Sequence, residues 1–568
     1  MHRNTFALPA LGMSLITLFA GCASAPATSA THAAAPVRID VPAVAHPGGE
    51  TPAWWYRSGA SRAAANGAMQ ARAKNVILFL GDGMSLTTVA AARIFDGQRK
   101  GQPGEENLLS WERFPHTAFS KTYNTDSQTP DSAGTMTAIT TGVKTHMGAI
   151  GVTAGLRDDC NDSRGKAALT WLELADSAGM ATGIVSTARL THATPAATYA
   201  HVPDRNWEND TDLPAAATAQ GCTDIAQQLL TSARFGHGPT VALGGGRGEF
   251  TGTAQRDPEY DDKVGQRLDG RDLPGEWMRA NPGGAYVWNR AQLESAKDAP
   301  RLLGLFEPDH MQFEHDRPRD AAGEPSLAEM TRAAIHTLSR SRDGYVLMVE
   351  GARIDHANHY GNAYRALDET VALSEAVQAA LDATSREDTL ILVTADHSHT
   401  LNFVGYPVRG NPILGKVRGQ GGEDDAAGDL ARDQLGLPFT TLSYANGPGY
   451  TGAGNRQPAG PKKFLHAPSS VEAAEGRPDL SHVDTEHPDY LQESLVPLKS
   501  ESHGGEDVGI WAIGPGSDAV RGTLEQNVIY HLIVQATPRL RERLCAANTC
   551  DANGVPVELP KPADLEKK

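Results

Sequence analysis

Lysine and arginine are in deficit. The 568-residue chain has 51 of them against 68 aspartates and glutamates, a formal net charge of -17. Gripping nucleic-acid phosphates needs clustered positive charge, so nonspecific nucleic-acid binding is not expected. The acidic excess reads first as a solvated surface, with carboxylates that hold cations as the sharper alternative. Long apolar runs are also missing. Beyond the N-terminus no stretch reaches roughly eighteen consecutive apolar residues, so no second membrane span is expected. Cysteine is scarce, with five in all, and no pair has the C-x-x-C spacing, which weakens a zinc–cysteine reading. The glycine run LGGGR at 243–247 lacks the G-x-x-x-x-G-K-[ST] pattern of a nucleotide loop and reads as a tight strand-to-loop turn.

What is present starts with an export signal. Arg3 precedes an apolar run from about Ala7 to Gly21, so residues 1–21 read as a signal peptide. Phe19-Ala20-Gly21-Cys22 resembles a bacterial lipoprotein signal, with Phe19 in place of the usual aliphatic residue. Lipidation of Cys22 is the expectation, and simple cleavage nearby the alternative. That places the protein in the periplasm or on the outer membrane, tethered only by its N-terminus. Residues 22–52, rich in Ala, Pro, Thr and Ser, read as a flexible tether. Four cysteines then remain in an exported chain, which suggests two disulfides. Cys160 with Cys222 and Cys545 with Cys550 is the expected pairing, although sequence alone allows three.

The body, 53–536, alternates apolar runs with helical patterns. The runs are NVILFLG, TGIVST (182–187), TVALGGG (240–246), YVLMVEG (345–351), TLILVTA and VGIWAIGPG (508–516). Between them, 364–383 repeats at helical spacing, and 53–73 has helix-forming character. This is the pattern of an α/β three-layer sandwich, a large mostly parallel central sheet flanked by helices. In such sheets ligands sit beyond the carboxyl ends of the strands. Asp82, Glu350, Asp396 and His397 follow directly on apolar runs. The Gly- and Pro-rich stretch of about 400–500 reads as a surface insertion, and 537–568 as a C-terminal tail carrying the Cys545–Cys550 pair.

Chemistry concentrates in three segments. VEGARIDHANH (349–359) holds Glu350, Asp355, His356 and His359; TADHSH (394–399) holds Asp396, His397 and His399; ESHGGED (501–507) holds His503. Carboxylates mixed with imidazoles suit zinc. Ser132, in QTPDSAGTMTA (128–138), lacks a flanking histidine and a G-x-S-x-G elbow. Divalent cations would activate it without a neighbouring base, and the bland alternative is a helix-capping serine.

The ordered set GDGM, TPDSAGTMTA, THATPAA, AHVPDR, LGGGR, VEGARIDHANH, TADHSH and SHGGEDV resembles the alkaline phosphatases over about 53–530, the animal enzymes and their bacterial relatives more than the enteric type. The resemblance implies that fold, with a crown-type surface insertion, and hydrolysis of phosphate monoesters through a phosphoserine on Ser132. It implies one zinc on Asp355, His359 and His503, a second on Asp82, Asp396 and His397, and a magnesium on Asp82, Thr194 and Glu350. It makes Arg205 the phosphate-gripping residue and puts His192 and His356 behind the ligands, tuning magnesium affinity and phosphate contact. Those two stand where enteric enzymes carry Asp and Lys. His399 is no ligand of the family and reads as a packing or hydrogen-bonding histidine. A calcium site would use Glu259, the backbone of Phe306, Glu307 and Glu324. The family is commonly a homodimer, with 53–73 resembling its N-terminal arm. A phosphodiesterase or other ester hydrolase of the superfamily is the alternative activity. A catalytically silent phosphate-binding surface protein is the alternative from another class.

Overall fold

The computed structural model describes residues 37–565 apart from 45–48, 154–155, 157–158, 232–236, 420–427, 434 and 451–476. The signal peptide and Cys22 lie outside the described residues. From Val37 onward the chain forms one compact unit.

Fifteen strands are described. In chain order the first eight are β1 (Asn75–Gly81), β2 (His116–Lys121), β3 (Ala181–Arg189), β4 (Val241–Gly245), β5 (Ala285–Val287), β6 (Leu302–Leu305), β7 (Tyr345–Gly351) and β8 (Thr389–Ala395). Then come β9 (Ser398–His399), β10 (Leu401–Phe403), β11 (Leu442–Gly447), β12 (Ser494–Pro497), β13 (His503–Gly504), β14 (Val508–Ile513) and β15 (Gly522–Glu525). Ten of them make one sheet in the order β15-β2-β14-β8-β1-β7-β3-β4-β6-β5.

The continuous apolar runs are the middle of that sheet. All seven residues of β1, β7 and β8 are buried, as strands covered on both faces must be. Side chains alternate between two cores. Leu78, Leu80, Val346, Met348, Leu390 and Leu392 face one, Ile77, Phe79, Leu347, Val349, Ile391 and Val393 the other. Helices Trp171–Ser177, Val528–Ala536 and Pro538–Ala546 contribute to the first core, and Leu86–Arg99, Leu327–Leu338 and Ala363–Ala383 to the second. The expected three-layer sandwich is therefore present.

Three details differ from the sequence reading. The run at 508–516, grouped there with the parallel strands, supplies β14, which is antiparallel to both β8 and β2. The chain re-enters this sheet at the edge where β8 ends, so it has to run back. The tail beyond 537 is partly core: Leu540 and Leu544 are fully buried, and Val555 and Val557 pack on the helix Pro52–Ala65. The end of the supposed tether lies along the same helix, with Trp54 Nε1 donating to the Pro42 carbonyl at 2.8 Å and Arg57 Nε to that of Asp40 at 2.9 Å.

The stretch expected as a surface insertion carries a separate three-stranded sheet, β10-β11-β12. Cys160–Cys222 and Cys545–Cys550 are both bonded. Among the described residues no helix is long and apolar enough to cross a membrane.

Candidate metal centre

Strand direction brings the candidate residues to one edge. Asp82 leaves the end of β1, Glu350 is the penultimate residue of β7, and Asp396 and His397 follow β8. His192 and Thr194 follow β3, and His503 lies in β13 just before the antiparallel β14. Asp355 and His359 sit four apart on the helix Arg353–His359, on one face as the spacing predicts. Ser132 opens the helix Ser132–Thr141, whose N-cap Asp131 accepts from Gly134 N–H at 3.1 Å.

Three groups of side chains gather there. In the first, His359 Nε2 and His503 Nε2 are each 3.4 Å from Asp355 Oδ1 and 3.1 Å from one another. Both rings are oriented from behind. His359 Nδ1 donates to the Glu501 carbonyl at 2.5 Å and His503 Nδ1 to that of Pro130 at 2.7 Å. With the hydrogens on Nδ1, two bare lone pairs point at each other and at a carboxylate. A cation between them resolves that arrangement.

In the second group, Ser132 Oγ, Asp82 Oδ1 and Asp396 Oδ2 converge on His397 Nε2 at 3.1, 3.4 and 3.3 Å. A serine-hydrolase triad would put serine and carboxylate on opposite ring nitrogens. Here they share one nitrogen, which is the geometry of ligands around an ion. The third group is Asp82, His192 and Glu350, whose ligand atoms lie within 4.8 Å of one another. Asp82 Oδ2, Glu350 Oε1, Thr194 Oγ1 and His192 Nδ1 are buried without a hydrogen-bond partner among the described residues. Orphaned buried oxygens are costly, and the three oxygens, of Asp82, Thr194 and Glu350, are those expected to hold magnesium, with His192 beside them.

The electrostatics agree. Burial, with Asp396, Asp355 and Glu350 adding to it, drives the Asp82 carboxyl well above its usual range. Burial pushes Glu350 up to about 8, with Asp396 adding to it. Crowded carboxylates that resist ionisation are sites in want of positive charge. Burial alone would raise Asp355 too, but His359, His399 and His503 outweigh it and hold the group well below the carboxylate range. Burial keeps His397, His192 and His356 neutral, hence available as ligands or acceptors.

Arg205 lies beside Asp131, the residue before Ser132. Its Nη1 donates to Asp131 Oδ2 at 3.1 Å, and Nη2 lies 3.1 Å from His192 Nε2. His356 packs on His192 with ring centres 5.4 Å apart.

Residues that the motif reading passed over complete the site. His399, read as a packing or hydrogen-bonding histidine, makes two hydrogen bonds: its Nε2 bonds Asp355 Oδ1 at 2.6 Å and its Nδ1 bonds Glu501, a residue the motif reading passed over. His310 packs against His356 with its ring tilted, ring centres 4.2 Å apart, from the loop after β6. Glu501 stood inside the quoted ESHGGED, but a lone glutamate has no spacing to mark it. Farther off, burial first and neighbouring carboxylates second push Glu324 up to about 9 and Glu259 to about 7. Glu307 and the unanticipated Asp320 are the neighbours, and Glu259 Oε1 and Asp320 Oδ2 have no hydrogen-bond partner among the described residues.

The sequence matches the model of the family described as alkaline phosphatase over residues 73–538. The chain belongs to the alkaline phosphatase family. It is 43% identical over 472 residues to the tissue-nonspecific alkaline phosphatase of Felis catus, covering 82% of this chain and 83% of that one. The corresponding figure for Gallus gallus is 44% over 474 residues, covering 82% and 84%. Among solved structures, the alkaline phosphatase of Thermus thermophilus aligns with a TM-score of 0.56 at 25% identity, covering 84% of this chain and 98% of that one. Alkaline phosphatases hydrolyse phosphate monoesters and depend on metals, so the family and enzyme class expected from the motifs both hold.

Proposed function

We propose that this alkaline phosphatase works through a phosphoserine on Ser132, with two zinc ions and one magnesium. Asp355, His359 and His503 would hold the first zinc, Asp82, Asp396 and His397 the second, and Asp82, Thr194 and Glu350 the magnesium. The observation that carries this reading is the pair of imidazole Nε2 atoms of His359 and His503, 3.1 Å apart beside Asp355, with both Nδ1 atoms engaged by carbonyls. When bound, the ions supply Lewis-acid charge, which makes a serine hydroxyl a competent nucleophile and neutralises a phosphoryl group.

The chain's own groups do the rest. Ser132 heads a helix, so free backbone amides face an incoming phosphate. Asp131 and His192 fix the two arms of the Arg205 guanidinium, leaving its fork to grip two phosphate oxygens. Ser132 Oγ attacks phosphorus in line as the ester P–O bond breaks, and water then cleaves the Oγ–P bond from the opposite side. Contacts that stop at the phosphate predict broad monoester specificity.

Glu259, Glu307, Glu324 and the Phe306 carbonyl are read as a calcium site, which the orphaned Glu259 and Asp320 oxygens support. Export with Cys22 acylated, and assembly as a homodimer, belong to the same reading; labelling with a radioactive fatty acid and light scattering test them.

The deciding experiment is acid-quenched labelling with a phosphate monoester. The native chain should carry one acid-stable phosphoryl group and Ser132→Ala none, with metal analysis giving two zinc and one magnesium. Turnover of Ser132→Ala at the native rate would refute the nucleophile. A faster rate on a phenyl phosphate diester than on the monoester would refute the substrate class.

A further inference from the structure

Glu501 is not one of the expected ion ligands, yet it reaches two of the three groups that surround one ion site, His359 directly and Asp355 through His399. Its side chain is buried, 1% exposed. One oxygen, Oε1, accepts from Thr400 N–H at 2.7 Å and from the Thr400 hydroxyl at 2.6 Å. The other, Oε2, bonds His399 Nδ1, and the far nitrogen of that ring bonds Asp355 Oδ1. Its backbone carbonyl takes the Nδ1 hydrogen of His359, and its amide donates to the His359 carbonyl at 2.9 Å. Two residues later the chain places His503, paired in register with His399.

We propose that Glu501 is a positioning residue that sets the affinity of the Asp355–His359–His503 ion site by fixing Asp355 through His399 and His359 through its own carbonyl. The proposal rests on the reading of those three residues as zinc ligands. The side-chain arm is the separable part. Thr400 locks the carboxylate in rotation, the carboxylate locks the His399 ring, and the ring leaves Asp355 one oxygen orientation. A ligand held ready loses less freedom when the ion arrives. The His359 arm is main chain and survives any substitution, so side-chain variants isolate the His399 route.

Three variants and one probe test this. Zinc is titrated into chelator-stripped protein against a chromophoric competitor, and cobalt is substituted to read the ligand field of each site. Glu501→Ala removes the arm. Glu501→Asp keeps the charge but withdraws it by one methylene, on the order of 1.5 Å. In Glu501→Gln the amide can donate to His399 Nδ1 while its oxygen still accepts from Thr400, so the ring continues to donate to Asp355.

The expected result is a loss of about 10–100-fold in the affinity of one zinc in the Ala and Asp variants. One cobalt band set should broaden, the other sites should be unchanged, and the Gln variant should stay within about threefold of native by the hydrogen-bond argument. If the Ala variant does not fold, the Asp and Gln pair carries the same contrast. The proposal falls if Glu501→Asp binds both zincs as tightly as the native chain, if Glu501→Gln loosens as much as Glu501→Asp, or if all sites weaken together. A native chain that binds no zinc would instead refute the ligand assignment, and this inference with it.

Discussion

Replacing Gly83 with alanine should damage the ion site from a residue that is not a ligand. Gly83 follows Asp82 at φ +65°, a left-handed conformation that costs a non-glycine residue about 1–2 kcal/mol. The added Cβ would lie 2.3 Å from His399 Cδ2 and 2.4 Å from its Nε2. That ring has nowhere to go, because Asp355 and Glu501 hold both of its nitrogens. Recoil must break one charge-assisted hydrogen bond, a further 1.5–3 kcal/mol or so.

The sum is about 2.5–5 kcal/mol. For a unit of roughly 530 residues, an unfolding entropy of about 2.1 cal/mol/K per residue converts this to a fall of about 2–5 °C in Tm. Asp355 Cα lies 3.3 Å from the new Cβ, so kcat/KM should drop as well, on the order of tenfold or more. Gly67→Ala is the control: φ is +96° with no other atom within 4 Å, so only the conformational cost applies, about 1–2 °C. Calorimetry and a monoester assay on both variants check this. Equal shifts in the two, or native activity in Gly83→Ala, would refute the argument that His399 is pinned.

Removing the Cys160–Cys222 bond, whose ends are 62 positions apart in sequence, should cost about 4 kcal/mol, and removing Cys545–Cys550, whose ends are 5 apart, about 2 kcal/mol. Thermal melting of the two serine double variants would fail this if the short loop mattered more. Arg205→Ala should weaken inhibition by inorganic phosphate by about 10–100-fold, since a charge-assisted fork is lost; an unchanged inhibition constant would remove Arg205 from the phosphate site. Burial, with the Glu314 and Asp368 charges, pushes the Glu369 carboxyl up to about 8. A raised carboxyl stabilises the fold below its unfolded pKa, and that contribution is lost as pH rises from about 4.5 through 8. Glu369→Gln should therefore gain stability over the native chain between pH 5 and 9, by a few kcal/mol. A melting-temperature difference that stays flat across that range would count against it.

Most of the centre was legible because of where its residues stand relative to apolar runs. A strand buried on both faces announces itself as an unbroken hydrophobic string, and the polar residue ending such a string sits at the edge where ligands bind. Asp82, Glu350, Asp396 and His397 were found that way, and Asp355 and His359 by helical spacing. Short strands such as β5, β6 and β15 gave no comparable signal, since three or four residues are too few to set a period, and β5 and β15 are also partly exposed edges. Antiparallel β14 could not be told from its neighbours, because direction leaves no mark on composition. Glu501, His310 and Asp320 were missed for a related reason. Each acts through a contact between distant segments, and a single polar residue has no period to reveal its partner. The calcium carboxylates and the Ser132 role came from resemblance to a family, not from spacing.

The pairing of β9 with β13 has one more consequence. His399 lies opposite His503 and Ser398 opposite Gly504, so the excursion of about a hundred residues between them starts and ends on two paired strands. Leu442 and Tyr444 of that excursion pack into the second core, and the Tyr444 hydroxyl donates to Asn358 Oδ1 at 2.7 Å on the helix Arg353–His359, so those segments are fixed. Ring-closure entropy grows only logarithmically with loop size, so the exposed stretches of the excursion are free to lengthen or shrink at little cost to the chemistry below. Divergence among relatives can collect there, while the knot that gathers the imidazoles stays the same.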